Sequence, residues 1–244
     1  MQSIINELRD DNEYYNGKGK YYLSNSDISA LLTNPKQFRA HREDTKNFAE
    51  GRLFHQLLLE PDKVEKVASV DVSTRNTKEY KKFIEENNLS FALLTKEVED
   101  ITRLVSVMKA NIVFYDDIYR DGNLYEEPII GEIKGMQWKA KADIITPDYI
   151  IDLKTTSDIN KFKWSAKAYN YDSQCYIYEQ LFGKPLYFYV IDKETEQLGV
   201  FRPGENFAKG GEAKVERAIA VYEKYFGPNA IEDIDNHFIN ETLD

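Results

Sequence analysis

The sequence predicts one α/β domain in which helices flank a mixed central β-sheet, with a mainly helical N-terminal third. Three observations support this fold class. The 244 residues are 42% hydrophobic and 30% charged, which is typical of a globular chain. Helix-type apolar spacing prevails up to about residue 110, and strand-type segments alternate with helices beyond it. No repeat, low-complexity block or Gly/Ser/Pro linker divides the chain.

Capping residues and apolar spacing define the helices of the N-terminal third. Ser26 is expected to cap the first helix, since a serine hydroxyl can accept a hydrogen bond from a free N–H of the first turn. Asn34-Pro35 ends that helix and can begin another, with proline at its first position. A helix over about 48–59 follows and is stopped by Glu60-Pro61. Another, capped by Thr95, carries a regular apolar face.

Three consecutive strands are predicted in the second half of the chain. They cover 124–133, 135–146 and 149–156, and turn residues at Lys134-Gly135 and Pro147-Asp148 separate them. In the second strand apolar and polar residues alternate, which is the period of a half-buried strand. The third strand is more apolar, as expected of a strand in the centre of a sheet.

Helices and strands alternate again after the third strand. A tyrosine-rich helix is predicted over about 166–181, with Gly183 at its C-terminal cap. A buried strand follows at 185–192, and residues 197–202 can pair with it as a hairpin. A helix over about 211–226 closes the domain.

The composition excludes several kinds of site. The one cysteine, Cys175, cannot supply a disulfide framework, a four-cysteine zinc site or a cysteine-ligated iron–sulfur cluster. No P-loop or dinucleotide-binding motif is present, so no nucleotide cofactor is expected. The N-terminus lacks the apolar region of a signal peptide, and no apolar run is long enough for a membrane span. We therefore expect a cytoplasmic protein without a membrane partner.

The strongest local signal combines two acids and one lysine. Asp152 and Lys154 lie two apart on a predicted strand, so their side chains project from one face, about 6–7 Å apart. Asp143 lies near the end of the preceding strand, and the turn at Pro147-Asp148 folds it back beside Asp152. Carboxylate oxygens suit a hard cation such as Mg²⁺ or Mn²⁺. The lysine could orient or deprotonate an attacking water, or neutralise charge developing on a phosphate.

Each of these residues also has a simpler explanation. D-x-K is common by chance, so an ordinary Asp–Lys pair is the alternative. The surroundings favour a site, because Asp152 and Lys154 interrupt the apolar run IIDLKTT, where charges are costly unless paired or functional. His55, on the helix over 48–59, could complete a metal site with its imidazole, although taken alone it would be an ordinary helix histidine with satisfied hydrogen bonds. Gln174 and Tyr178 share one helix face, and taken alone they would be packing residues.

In chain order these residues are His55, Asp143, Asp152-x-Lys154 and Gln174-x-x-x-Tyr178. The set resembles the RecB-type branch of the PD-(D/E)xK nuclease superfamily, including the RecE-like exonucleases that phages and prophages often encode. LSNSDISALLTNPKQF, EGRLFHQLLLEP and KADIITPDYIIDLKTTSD are similar to three segments of that family. The similarity spans roughly residues 22–226, and it implies the restriction-endonuclease-like fold.

The resemblance implies roles for the central residues. His55, Asp143 and Asp152 would bind Mg²⁺ or Mn²⁺, together with the backbone carbonyl of Leu153. Lys154 would be the catalytic lysine. The four cysteines that bind an iron–sulfur cluster in some relatives are missing, which favours a stand-alone enzyme.

The resemblance also implies supporting residues. Gln174 and Tyr178 would contact DNA or orient the lysine. Lys141 is a candidate phosphate contact, although a solvated lysine is the simpler interpretation. Glu126 or Glu127, at the start of the first predicted strand, is a candidate for a further acid of the family.

The function that the resemblance implies is metal-dependent, ATP-independent digestion of linear double-stranded DNA from its 5′ end, for recombination or DNA processing. Such enzymes are typically ring-shaped trimers or tetramers and often work with a single-strand annealing protein. The alternatives on the same fold are an endonuclease, a single-strand-specific nuclease, or a catalytically inactive DNA-binding or assembly protein.

The net charge of −10 argues on its own against a nucleic-acid partner, because phosphate contacts need lysine and arginine. This objection is weak for a metal site, which needs clustered carboxylates and whose cation changes the local field. DNA could also be held by a local basic stripe or inside a ring of subunits.

The expected domain organisation is simple. One nuclease domain covers 1–227, with an extension at 1–20, a mainly helical part at 22–110, and the catalytic sheet with its helices at 111–227. Residues 228–244 carry five acids and no lysine or arginine. This acidic stretch is expected to be a solvated tail or a partner-binding arm.

Overall fold

The computed structural model describes residues 2–40, 44–240 and 242. Its helices, in chain order, are α1 (Gln2–Glu7), α2 (Asp11–Tyr15), α3 (Asn25–Thr33), α4 (Lys46–Leu59), α5 (Lys78–Glu86), α6 (Thr95–Ala110), α7 (Ile112–Ile118), α8 (Phe162–Ala168), α9 (Tyr171–Phe182) and α10 (Glu205–Tyr225). Its strands are β1 (Ser69–Val70), β2 (Leu93–Leu94), β3 (Leu124–Ile133), β4 (Met136–Ile145), β5 (Ile150–Thr156), β6 (Leu186–Asp192) and β7 (Leu198–Phe201). Met1 of the predicted extension and residues 241, 243 and 244 of the predicted tail lie outside the described residues.

A five-stranded mixed sheet forms the centre of the fold, in the order β3-β4-β5-β6-β7. The consecutive strands β3, β4 and β5 pair antiparallel. β6 pairs parallel with β5 and antiparallel with β7. The parallel step needs a crossover connection, which α8 and α9 supply. Together with its flanking helices, this sheet confirms the predicted α/β class.

Apolar residues pack on both faces of the sheet. One core, in contact with α3, α9 and α10, includes the fully buried Trp138. The other, in contact with α4, α6 and α7, includes Phe54 and Tyr189. The neighbours Ile150 and Ile151 of β5 belong to different cores, because successive side chains of a strand point to opposite faces. Helices therefore cover β5 on both sides, which explains its apolar sequence.

The strand predictions are confirmed closely, but one helix prediction is wrong. β3 has the predicted bounds, and β4 and β5 lie within one residue of theirs. The single helix predicted over 166–181 is instead two helices, α8 and α9. Between them Asn170 has a left-handed backbone with a φ of 59°, which an α-helix does not contain. Gly183, with a φ of 67°, ends α9 as predicted.

The start of α3 also differs from the prediction. Ser24 is the N-cap residue, rather than Ser26. The Asp27 carboxylate accepts hydrogen bonds from the backbone N–H and the hydroxyl of Ser24, at 2.8 and 2.9 Å. An acid three residues after the cap can accept hydrogen bonds from the cap residue in this way, which selects the earlier serine. After Asn34-Pro35 the chain makes one 3-10 turn, Pro35–Gln37, instead of a new α-helix.

The segment after α10 returns to the domain. Lys224 forms an ion pair with Glu232 at 3.0 Å. Lys36 donates a hydrogen bond to the backbone oxygen of Asp235 at 2.9 Å. The division into extension, domain and tail stays a prediction. Among the helices that the structure describes, none combines the length and the apolar character that crossing a membrane requires.

Two glycines lie inside α10, which begins at Glu205, earlier than the predicted start at 211. Glycine is a poor helix former, so Gly210-Gly211 resembles a helix boundary in the sequence. A Cβ atom on Gly211 would lie 2.0 Å from the backbone oxygen of Asp172 in α9. Gly211 therefore allows the backbones of α9 and α10 to approach each other closely.

We expect Gly211→Ala to lower the free energy of unfolding by about 1–3 kcal/mol or more, because the two helix backbones must separate. Gly210→Ala is the matched control, since its Cβ atom would meet only the Asp172 carboxylate, at 3.6 Å. That variant should be neutral or more stable by up to about 1 kcal/mol. Urea unfolding followed by circular dichroism measures both variants. Equal effects of the two substitutions would contradict the close helix contact.

Candidate functional site

Three carboxylates occupy matched positions on adjacent strands. The β3–β4 register places Glu126 opposite Asp143, and the β4–β5 register places Asp152 opposite Asp143 on its other side. Neither pair belongs to the regular ladder of the sheet. Glu126 has a left-handed backbone with a φ of 50°, an uncommon conformation for a residue with a Cβ atom. The regular sheet is therefore interrupted around Asp143.

His55, Glu126 and Asp143 each offer a metal-ligand atom, and these atoms lie within 4.8 Å of one another. Nδ1 of His55 is 3.4 Å from Oδ2 of Asp143. Nε2 of His55 is 3.0 Å from the backbone oxygen of Leu153 and must donate there, because a carbonyl oxygen only accepts. The Leu153 N–H in turn donates to Oδ2 of Asp143 at 2.8 Å. Nδ1 is therefore the ring nitrogen available to a cation beside the acids.

Asp152 and Lys154 form the adjoining part of the site. Oδ2 of Asp152 contacts the ammonium of Lys154. Nε2 of Gln174 donates to Oδ1 of the same carboxylate at 2.6 Å. The Lys154 ammonium also lies 5.1 Å from the centre of the Tyr171 ring. The side chain of Lys154 is 19% exposed and that of Asp152 only 3%, so the lysine is the group that reaches solvent.

Burial and mutual charge shift the pKa values of these groups. Burial would lower the pKa of His55, but the adjacent Asp143 carboxylate outweighs it and raises that pKa to about 9. Burial would raise the pKa of Asp143, but the charge and hydrogen bond of His55 hold it below its usual value. Burial and the charge of Asp143 raise the pKa of Glu126 to about 7. Burial also raises the pKa of Asp152, even beside Lys154. Because these buried carboxylates lie close together, a bound cation would stabilise their charged forms.

The structure distinguishes between the acids that the sequence proposed. Glu126 belongs to the group with His55 and Asp143, whereas Glu127 forms two hydrogen bonds with an arginine of the extension. Asp152 lies beside this group but is not one of its three members. The backbone oxygen of Leu153 lies next to this group, because it accepts the hydrogen bond from Nε2 of His55.

Gln174 and Tyr178 lie beneath the site rather than at its surface. They are 7% and 8% exposed. The Tyr178 hydroxyl donates to the backbone oxygen of Lys141 at 2.7 Å, two residues before Asp143. Their burial favours a supporting role over direct contact with DNA.

The N-terminal extension makes contacts that sequence reasoning missed. Arg9 binds Glu127 at 2.7 and 2.5 Å, and Asp11 pairs with Lys141 at 2.5 Å. The Lys141 ammonium lies 5.4 Å from the centre of the Tyr14 ring, and the lysine side chain is only 8% exposed. The interpretation of Lys141 as a solvated lysine is therefore wrong. The sequence carried one indication of this contact: Lys141 is a charged residue on a half-buried strand, and such a charge needs a partner.

The family model described as "PDDEXK-like domain of unknown function (DUF3799)" matches residues 24–227. The chain belongs to this family. The matched range contains all the candidate residues from His55 to Tyr178 and excludes the extension that carries Arg9 and Asp11. Membership in a PDDEXK-like family supports a nuclease.

Solved structures support the fold of this family member. A candidate exonuclease from Eubacterium rectale aligns with a TM-score of 0.62 and 17% identity, over 96% of this chain and 95% of its own. At this identity the likeness shows the fold alone, and it confirms the predicted restriction-endonuclease-like core. The structure of SSO0001 aligns with 13% identity over 90% of this chain and 85% of its own, at a TM-score of 0.39 that adds nothing to the assignment. No curated protein matches the sequence.

Glu126 and Glu127 offer a matched pair for testing the metal-ligand group. We expect Glu126→Gln to weaken Mn²⁺ binding by about tenfold or more, because a charged ligand becomes neutral. Glu127→Gln removes the same charge from the next residue and should leave the affinity within about twofold of wild type. Electron paramagnetic resonance of the free ion measures both affinities. Equal losses would mean that general negative charge, rather than this group, attracts the ion.

Proposed function

We propose that this chain is a divalent-metal-dependent nuclease that hydrolyses phosphodiester bonds of DNA. The proposal rests on the group of His55, Glu126 and Asp143 beside the Asp152–Lys154 pair, in a member of a PDDEXK-like family. Carboxylates and imidazole are cation ligands, and an adjacent ammonium can stabilise charge on a phosphate. A catalytically inactive DNA-binding protein would have no need of this costly arrangement of buried charges.

The donor atoms fit a hard divalent ion, and we propose Mg²⁺, with Mn²⁺ as a substitute. Nδ1 of His55 and the carboxylates of Glu126 and Asp143 would hold it, with the Leu153 carbonyl next to them. Asp152, which the family resemblance assigns as a ligand, stays a proposed ligand on the adjacent strand. Burial and the charge of Asp143 raise the pKa of Glu126 to about 7, and a cation bound beside it would favour the carboxylate form. When bound, the ion would supply Lewis acidity to a phosphodiester and lower the pKa of water.

Lys154 is the proposed catalytic lysine, with an electrostatic role. Burial would lower the pKa of Lys154, but the Asp152 carboxylate raises it above its usual value. A protonated lysine there would stabilise negative charge on the reacting phosphate. Gln174 is a positioning residue, because it orients the Asp152 carboxylate that holds the ammonium.

The finer assignment draws on the resemblance to RecE-like exonucleases. We propose linear duplex DNA as the substrate, digested from its 5′ end, for recombination or DNA processing. The absence of a P-loop motif from the sequence supports independence from ATP. The same resemblance supports a ring-shaped trimer or tetramer and a single-strand annealing protein as partner, in the cytoplasm of a bacterium or phage-infected host.

Lys154→Ala should reduce turnover of linear duplex DNA with Mg²⁺ by about 100-fold or more, which is the usual cost of losing a preorganised charge contact. Lys81→Ala, which removes an exposed lysine of α5, is the control and should retain wild-type turnover. Thermal unfolding verifies that both variants fold. Equal digestion by wild type and Lys154→Ala would remove the proposed mechanism.

End-labelled substrates test the polarity. From a linear duplex we expect the 5′ label to be released several-fold earlier than the 3′ label, at the same rate with and without ATP. A covalently closed circular duplex should remain intact. Cutting of the circle would instead indicate an endonuclease. DNA binding without cleavage of any substrate would indicate the catalytically inactive alternative.

A further inference from the structure

One face of α8 combines exposed aromatic rings with lysines. Residues 159–171, which include α8, contain three lysines and no acid, in a chain with a net charge of −10. Two aromatic side chains in the same segment are 63% and 67% exposed. These five exposed side chains, named the α8 patch, are Lys161, Lys163, Trp164, Lys167 and Tyr169.

The patch is firmly anchored to the domain. On the opposite side of α8, Phe162 and Ala166 are one turn apart and only 3% exposed. The Phe162 ring packs against Phe201, with 4.5 Å between ring centres. Lys214 of α10 donates a hydrogen bond to the backbone oxygen of Lys167 at 2.6 Å. The buried face therefore fixes the position of the helix that carries the exposed rings and lysines.

Two lysines of the patch keep their charge available. Lys161 pairs with Asp158 at 2.9 Å. Within the part of the chain that the structure describes, neither Lys163 nor Lys167 forms an ion pair with an acidic side chain. The Lys163 ammonium lies 4.1 Å from the centre of the Trp164 ring instead. Positive charge and an exposed aromatic ring therefore coincide.

The patch continues to the proposed cleavage site. The ring centres of Tyr169 and Tyr171 are 5.9 Å apart. The Lys154 ammonium is 5.1 Å from the Tyr171 ring centre. The Tyr169 ring therefore lies no farther from Lys154 than these two distances combined. A strand with a phosphate at Lys154 would reach the patch within a few nucleotides.

We propose that the α8 patch binds single-stranded DNA next to the cleavage site. Bases stack on Trp164 and Tyr169, and phosphates lie near Lys163 and Lys167. Stacking accepts any base, so the contact tolerates all sequences. A base-paired duplex hides its base faces, and the patch therefore selects an unpaired strand. As an account of the substrate this inference rests on the proposed function, whereas the binding itself needs no cleavage.

Tryptophan fluorescence reports the stacking contact. The chain has two tryptophans, and the second, Trp138, is fully buried. Titration of the full chain with oligo-dT, without divalent ions, should quench the exposed emission in a saturable way. An oligonucleotide of the same length with abasic sites should quench at least several-fold less. Trp164→Phe removes this fluorophore but keeps an aromatic ring, and its loss of the signal identifies Trp164 as the source.

Fluorescence anisotropy of labelled oligo-dT gives the affinities. Trp164→Ala should weaken binding by about fivefold or more, and Trp164→Phe by no more than about twofold. Lys163→Ala with Lys167→Ala should weaken binding and reduce its dependence on salt. Lys78→Ala with Lys81→Ala removes two exposed lysines of α5 and is the charge-matched control.

The outcomes distinguish failure of this inference from failure of the proposed function. Unchanged oligo-dT binding in the Trp164→Ala and lysine variants would overturn it, even if the protein cleaves DNA. Equal affinity for a covalently closed circular duplex, which has no unpaired strand, would also overturn it. So would a Trp164→Ala variant that changes the sedimentation coefficient alone, which would indicate a protein interface. Patch-dependent binding in a chain that cleaves nothing would leave the inference standing and remove the proposed function.

Discussion

The burial of like charges in the middle of the sheet is the constraint on which the rest of the structure depends. Glu126, Asp143 and Asp152 occupy matched positions on three adjacent strands, where carboxylates repel one another and are largely shielded from water. Positive partners come from two directions, His55 from α4 and Lys154 from β5. Because these partners are parts of the fold, α4 is tied to the sheet by charge as well as by apolar packing. A bound cation would neutralise the negative charge that His55 and Lys154 leave uncompensated.

Much of the fold could be predicted from the sequence because its signals are local. The bounds of β3 follow from its composition and the Lys134-Gly135 turn, and α4 ends before Glu60-Pro61 as expected. The wrong helix predictions concern places where the backbone conformation of one residue, or a single set of hydrogen bonds, determines where a helix begins or ends. Apolar spacing continues across Asn170, so periodicity alone merges α8 with α9. Ser24 and Ser26 are equally good caps by type, and the hydrogen bonds from Ser24 to the Asp27 carboxylate select the first.

The candidate site shows the same division between local and non-local information. The period of a strand brings Asp152 and Lys154 to one face, and their contact agrees with that expectation. Which acid joins His55 depends on the register of β3 against β4 and on the positive φ of Glu126. Neither property is visible in the spacing of residues along the chain. The ion pair between Asp11 of the extension and Lys141 is likewise a property of the tertiary structure and is not visible in the residue spacing.

A net charge of −10 is compatible with DNA as substrate because the charges are segregated. Acids are concentrated where a cation is proposed to bind, while residues 159–171 carry lysines and no acid. Electrostatic attraction to duplex DNA grows with the number of phosphates neutralised, so the three lysines of residues 159–171 would attract the body of a duplex less than a large basic surface would. In the proposed function, base stacking and metal coordination would supply the rest of the contact. Both need an exposed base or an accessible phosphate, and a strand end provides these together. The proposed action at DNA ends would therefore use contacts that an acidic chain can make, rather than a large basic surface.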